Sequence, residues 1–241
     1  LAVHNTGTIT ARSGEVRITS STGRVVNDGT ISTDSLRTLG VDRPAGSVVM
    51  QAPHIINSGR ITADANSGQA GSIQVTSSLS TMLSAGSTVS ASGGEGFANG
   101  GSILIHSYRG DTTLAPGATV NLSGGTLGGD GGSGEISGQR LSVLGEVRGD
   151  SAPGSKPAAI LFDPVDLVIR SPGLDDVELG DGTVLGSDGG DSSFRISRSA
   201  IEGFSGDVTL EATRNITILE SISKANGGLT LLAGNDITFS G

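Results

Sequence analysis

The sequence has no cysteine and no tryptophan, and it holds one tyrosine and five phenylalanines among 241 residues. Without cysteine there is neither a disulfide scaffold nor a thiolate metal site. Charge is sparse too: 16% of the chain is charged, for a net charge of −9. No basic stretch supplies the clustered Lys and Arg that binding to nucleic acid requires. No run of about 18 apolar residues is present, so no segment reads as membrane-spanning. The seven prolines, and glycine without a three-residue period, exclude collagen. Low charge with middling hydrophobicity argues against disorder. The shortage of aromatics means that any core must be built without large anchors.

What is abundant is small. Glycine (40), serine (34) and threonine (22) make up about two-fifths of the chain. They fall in recurring phrases, which is the first thing to look for in such a composition. One phrase reads Asn5-Thr6-Gly7-Thr8-Ile9-Thr10-Ala11. It returns at Asn27-Asp28-Gly29-Thr30-Ile31-Ser32-Thr33 and at Asn57-Ser58-Gly59-Arg60-Ile61-Thr62-Ala63. Looser copies stand at Ala85-Gly86-Ser87-Thr88-Val89 and Pro116-Gly117-Ala118-Thr119-Val120. A second phrase, glycine then polar, apolar, any, apolar, begins at Gly14, Gly46, Gly71, Gly101, Gly134 and Gly206. The two alternate, and through about residue 145 copies of each recur every 22 to 33 residues.

Each phrase is a short period-2 strand opened by glycine. A strand of four or five residues cannot bury its apolar face alone. Stacked copies can, with the Ile or Val of one coil resting on that of the next, and such ladders need similar residues rather than large ones. Glycine and asparagine then read as corner residues with positive φ. The expected fold is all-β, a parallel β-solenoid of about nine or ten coils, roughly 45 Å long at the inter-strand spacing of about 4.8 Å. An antiparallel sandwich is the alternative, though it does not repeat one phrase at one spacing. The chain reads as one solenoid over 1–241. Regular coils fill 1–149, a Pro/Gly break and an acidic surface excursion fill 150–205, and coils resume over 206–241. Ala159 to Ile169 reads as strand, proline kink, strand, and Ile196 to Phe204 has room for a helical turn.

Three runs carry a family resemblance: Gly129-Asp130-Gly131-Gly132-Ser133-Gly134-Glu135-Ile136-Ser137-Gly138-Gln139, Ile160-Leu161-Phe162-Asp163-Pro164-Val165-Asp166-Leu167-Val168-Ile169, and Asp207-Val208-Thr209-Leu210-Glu211-Ala212-Thr213-Arg214-Asn215-Ile216-Thr217-Ile218. In this order they resemble the filamentous haemagglutinin-type exoproteins, which Gram-negative bacteria secrete by the two-partner route. The resemblance implies a right-handed parallel β-helix, a secreted or cell-surface location, an adhesin shaft or passenger role, and an outer-membrane transporter as partner. The chain opens directly on a repeat and ends within one, as expected of an internal excerpt whose secretion domain lies elsewhere.

Two Arg-Gly-Asp tripeptides, Arg109-Gly110-Asp111 and Arg148-Gly149-Asp150, are the candidate receptor-binding residues. An integrin-type receptor reads this tripeptide on an exposed loop; the competing reading is a Gly-Asp turn between strands. For calcium, Gly124 to Gly132 offers one carboxylate, Asp130, and Asp181, Asp188 and Asp191 cluster farther on. Six to eight oxygens are needed, so solvated loops are the better reading. For catalysis, Asp163 with Asp166, or Asp175 with Asp176, are the paired carboxylates on offer. Asp163 before Pro164 reads as a local turn residue, Tyr108 is the sole tyrosine platform, and His4, His54 and His106 are scattered. The sequons at Asn121 and Asn215 read as strand residues. The expectation is a non-enzymatic structural or adhesive segment with no cofactor and no metal.

Overall fold

A computed structural model describes residues 2–38, 41–170 and 195–240. The acidic stretch with Asp175, Asp176, Asp181, Asp188 and Asp191 lies outside the described residues. Within them the chain is all-β, with long parallel strands in stacked sheets, an architecture compatible with a β-solenoid. Among the described residues every strand pairing is parallel except one: Arg37–Thr38 and Val41–Asp42 form a short antiparallel side pair.

The second phrase forms the first ladder. It runs through Glu15–Thr19, 47–51, 72–77, 102–107, 133–138, Ala159–Asp163, Asp207–Ala212 and Leu229–Ala233. The first phrase forms a separate six-stranded ladder: Thr8–Thr10, Thr30–Ser32, Arg60–Thr62, Thr88–Ser90, Thr119–Asn121 and Glu146–Arg148. A further ladder lies between these two in chain order. Strands Ser47–Asn57, Ser72–Leu83, Ser102–Leu114 and Ser133–Val143 each serve two ladders. The first part of Ser47–Asn57 pairs with Glu15–Thr19, and its end pairs with Arg24–Asn27. Register shifts between Ser77 and Ser80 and between Ser107 and Asp111 mark the change of direction.

Side-chain period 2 turns one face of each ladder inward. In the six-stranded ladder Ile9, Ile31, Ile61, Val89, Val120 and Val147 are register partners. In the first ladder Val16, Val48, Ile73 and Ile103 form one column, and Ile18, Met50, Val75, Ile105, Ile136, Phe162 and Leu210 form another. Gly134 interrupts the first column. A Cβ there would lie 2.6 Å from a Leu122 methyl and 2.8 Å from an Ile160 methyl, so neighbours fill its place. Small aliphatics in repeated contact therefore stand in for the missing aromatics, and one core cluster extends from Val16 to Ile218.

Two features correct the expectation about corners. No asparagine has positive φ; Ser13 is the only such non-glycine residue among the described ones. Asn5, Asn27 and Asn57 instead form a buried column. Asn5 Nδ2 donates to Asn27 Oδ1 at 2.7 Å, and Asn27 Nδ2 to Asn57 Oδ1 at 2.7 Å. In the tiers beyond, the same register holds Leu83, Leu114 and Val143. The glycines of the well-formed phrases do not have positive φ either. Above the first tier they are required by close approach: a Cβ on Gly29 or Gly59 would lie 2.0 Å from the carbonyl oxygen of Gly7 or Gly29 below it. Gly46, Gly71 and Gly101 repeat this at 1.8, 1.9 and 1.9 Å. The corner expectation holds for other glycines: Gly86 and Gly117 of the looser copies, and Gly68, Gly94, Gly128, Gly129, Gly154 and Gly227, have positive φ.

The chain departs from simple stacking after Val143. Ile196 bridges Val143 on one side and Ile169 on the other. The order up that ladder is thus Val143, Ile196, Ile169, Ile218, Phe239, so residues 195–197 lie beneath a strand that precedes them in sequence. A helix, Arg198–Glu202, follows at once, with Ser197 Oγ accepting the Ala200 N–H at 3.1 Å. Phe204 then packs against Gly149, where a Cβ would lie 2.4 Å from the ring.

Candidate functional site

The outward face of the first ladder gathers chemistry that is scattered in the sequence. Thr19, Gln51, Thr76, His106, Ser137 and Asp163 are successive register partners and form one column. Ser137 Oγ donates to Glu135 Oε1 at 2.7 Å and lies 2.8 Å from His106 Nδ1. Its single proton is engaged by Glu135, so His106 Nδ1 carries the hydrogen of the second bond. The His106 and Tyr108 rings lie 4.4 Å apart, tilted by 41°. Histidine, serine and glutamate are the residue types of a hydrolase triad, but Ser137 is 1% exposed and its hydroxyl is tied on both sides. The trio ties strand Ser102–Leu114 to strand Ser133–Val143.

Asp163 lies in the strand, paired with Ser137, and not in a turn as its proline neighbour suggested. Burial pushes its carboxyl above the usual aspartate range, and the charges of Glu211 and Glu135 push the same way, against His106. Asp166 is engaged elsewhere. It accepts from the Arg214 guanidinium, and its Oδ1 accepts from Asn215 Nδ2 at 3.2 Å. Desolvation raises this carboxyl, but Arg214 and Asn215 together outweigh it and hold the group below its ordinary value. The two carboxylates proposed as a pair thus have separate partners and opposite shifts.

The first Arg-Gly-Asp tripeptide lies within a ladder strand, and the second begins at a strand end, with Gly149 and Asp150 beyond it. Arg109-Gly110-Asp111 lies within strand Ser102–Leu114, at its register shift. Arg109 is exposed, but a Cβ on Gly110 would strike the Leu79 carbonyl at 1.9 Å. Asp111 is clamped by Arg140 of the next tier through two bonds of 2.7 Å. In the second copy Arg148 ends strand Glu146–Arg148 and pairs with Glu146 at 2.7 Å. Gly149 is buried under Phe204, and Asp150 accepts from Ser205 Oγ. Neither tripeptide stands at a loop tip.

The remaining candidates also serve the frame. Asp130 Oδ1 accepts the Lys156 N–H at 2.9 Å, and Asn99 Oδ1 accepts the Asp130 N–H at 2.8 Å. Among the described residues no three His, Asp or Glu form a group suited to a metal ion. His4 pairs with Asp28 at 2.5 Å, and His54 with Ser80 at 2.8 Å. Hydrogen bonds from Ser58 and His4 hold the Asp28 carboxyl below its usual range. Asn121 Oδ1 accepts the Ser123 N–H at 3.0 Å, a local turn bond. No described helix is long and apolar enough to cross a membrane.

Just below His106 a groove of about 570 Å³ opens along the corner after the first ladder. Thr19, Gln51, Thr76, Ser78 and Pro53 line it, and Tyr108 closes its upper end, 58% exposed. In the sequence Tyr108 reads only as the sole tyrosine platform. The signal that finds the groove is register: residues 22 to 33 apart fall side by side only once the phrases are stacked. Comparison with protein-family models, with curated proteins and with solved structures gives no match.

Proposed function

We propose that the chain is a non-enzymatic shaft segment of a secreted, adhesin-like bacterial exoprotein, coiled as a right-handed parallel β-helix of about nine or ten coils. The observation that carries this reading is register kept from tier to tier. Val3 pairs with Val25, Val25 with Ile55, and the parallel ladders continue as far as Leu231 and Phe239. Backbone bonds between tiers and interdigitated aliphatic columns make such a stack stiff along its axis. Polar groups that suggest catalysis or receptor binding are mostly held in bonds between tiers, as with Ser137, Asp111 and Asp166. Folding that propagates tier by tier suits export as an unfolded chain through an outer-membrane two-partner transporter.

The test is attachment under flow. Beads coated with this chain, and beads coated at equal density with a globular control, are presented to host cells and to plain surfaces. The proposal expects the coated beads to be retained above the control. Equal retention on every surface would remove the adhesive part of the reading.

A further inference from the structure

We infer that the groove beneath Tyr108 binds neutral glycan strands, an inference that rests on the attachment reading above and names its ligand class. Three observations carry it. First, the groove is lined by groups that both donate and accept hydrogen bonds. The exposed Thr19, Gln51 and Ser78 come from three successive tiers, with Thr76 buried beneath them, so polar groups follow one another at an inter-strand spacing of about 4.8 Å. This is a surface matched to a chain of hydroxyl-bearing rings. Its volume, about 570 Å³, falls within the usual range of small-ligand sites.

Second, one aromatic ring faces solvent at the end of this polar trough. Tyr108 is the chain's only tyrosine, and it is 58% exposed. His106 braces it at a ring separation of 4.4 Å, so little freedom remains to be lost when a sugar ring lies against it. Pro53 adds a second rigid apolar wall.

Third, charge selects the ligand. No charged side chain lines the groove, so nothing there pairs with a carboxylate or sulfate. Glu135 and Asp163 lie in the next tiers above His106, the exposed Arg109 follows Tyr108, and the whole chain carries −9. The net charge disfavours acidic glycans and leaves neutral ones unaffected.

The chain provides its own reporter. With one tyrosine and no tryptophan, its tyrosine fluorescence comes from Tyr108 alone. The protein is titrated with short neutral gluco-, manno- and chito-oligosaccharides and, separately, with a sulfated oligosaccharide. At least one neutral series is expected to give a saturable change in emission. Calorimetric titration of the variants follows: Tyr108→Ala is expected to bind about tenfold more weakly, and Tyr108→Phe within about threefold of the parent. Unchanged melting temperatures show that both variants remain folded. The inference is overturned if no neutral oligosaccharide binds, if Tyr108→Ala binds as the parent does, or if the sulfated sugar binds more tightly. Retention of beads on cells without oligosaccharide binding removes the groove and leaves the shaft reading standing. Oligosaccharide binding without bead retention removes the adhesive part of the reading and leaves the groove standing.

Discussion

Alanine at Gly59 and alanine at Gly7 are the same change in the same repeated phrase, yet they should have very different effects. At Gly59 the new Cβ would lie 2.0 Å from the Gly29 carbonyl oxygen, whereas at Gly7 nothing lies within 4 Å. Neither residue has positive φ, so backbone strain does not separate them. Even a tight contact of 3.0 Å requires the tiers at Gly59 to part by 3.0 − 2.0, or 1.0 Å. Two ladder bonds cross that gap: Arg60 N–H to Gly29 at 2.9 Å and Gly59 N–H to Asn27 at 3.0 Å. An added ångström takes both beyond bonding distance. Each ladder group left unpaired costs about 1–3 kcal/mol, so Gly59→Ala should cost about 2–6 kcal/mol. For a chain of this size that is about 4–24 °C in melting temperature. Gly7→Ala should stay within about 0.5 kcal/mol of the parent, or gain slightly from a stiffer unfolded chain. The measurement is thermal unfolding followed by far-ultraviolet circular dichroism. Equal melting temperatures for the two variants would refute the close-approach account of these glycines.

Asn27→Ala leaves Asn5 Nδ2 and Asn57 Oδ1 without their partner inside the column; it should cost about 2–4 kcal/mol in denaturant titration, and a loss below about 1 kcal/mol would contradict the buried ladder. Asp163 holds its proton more tightly folded than unfolded, because of burial, Glu211 and Glu135, with His106 opposing. Its contribution to stability is therefore present at low pH and is lost as pH rises from the ordinary aspartate value through the higher folded one. Asp163→Asn should melt higher than the parent at neutral pH, with the gap closing toward acid pH; a constant gap across the range would count against this. The double variant Asp111→Glu/Asp150→Glu should leave attachment of coated beads unchanged, because Asp111 is clamped by Arg140 and Asp150 by Ser205. Loss of retention with an unchanged melting temperature would show that the tripeptides are read by a receptor after all.

The attachment and sugar-binding tests depend on features of unequal legibility. The six-stranded ladder was readable, because Ile9, Ile31, Ile61, Val89, Val120 and Val147 sit at one place in a repeated phrase. The ladder between the two phrases was not. Its inward positions hold Asn5, Asn27, Asn57, Thr81 and Thr112, which hide the apolar alternation that marks a strand. Positive φ accounts for glycines such as Gly86 and Gly117 but not for Gly29 and Gly59: sequence shows where a side chain is missing, and the carbonyl that forbids one belongs to another tier. The Tyr108 groove was invisible for the same cause, since Thr19, Gln51 and Thr76 become neighbours only when stacked.

By itself the sequence determined the strand-and-corner rhythm of this protein and the small-residue core that the rhythm demands. Both follow from local chemistry: period-2 side chains, β-branching, and the scarcity of rings and charge. Tertiary structure alone decided which groups face each other across tiers, including the insertion of Ile196 beneath Ile169, the clamping of Asp111 and the placing of Tyr108 beside polar groups from three strands. Those contacts join residues one repeat or more apart, and loops of unequal length set their registration, so no local pattern encodes them.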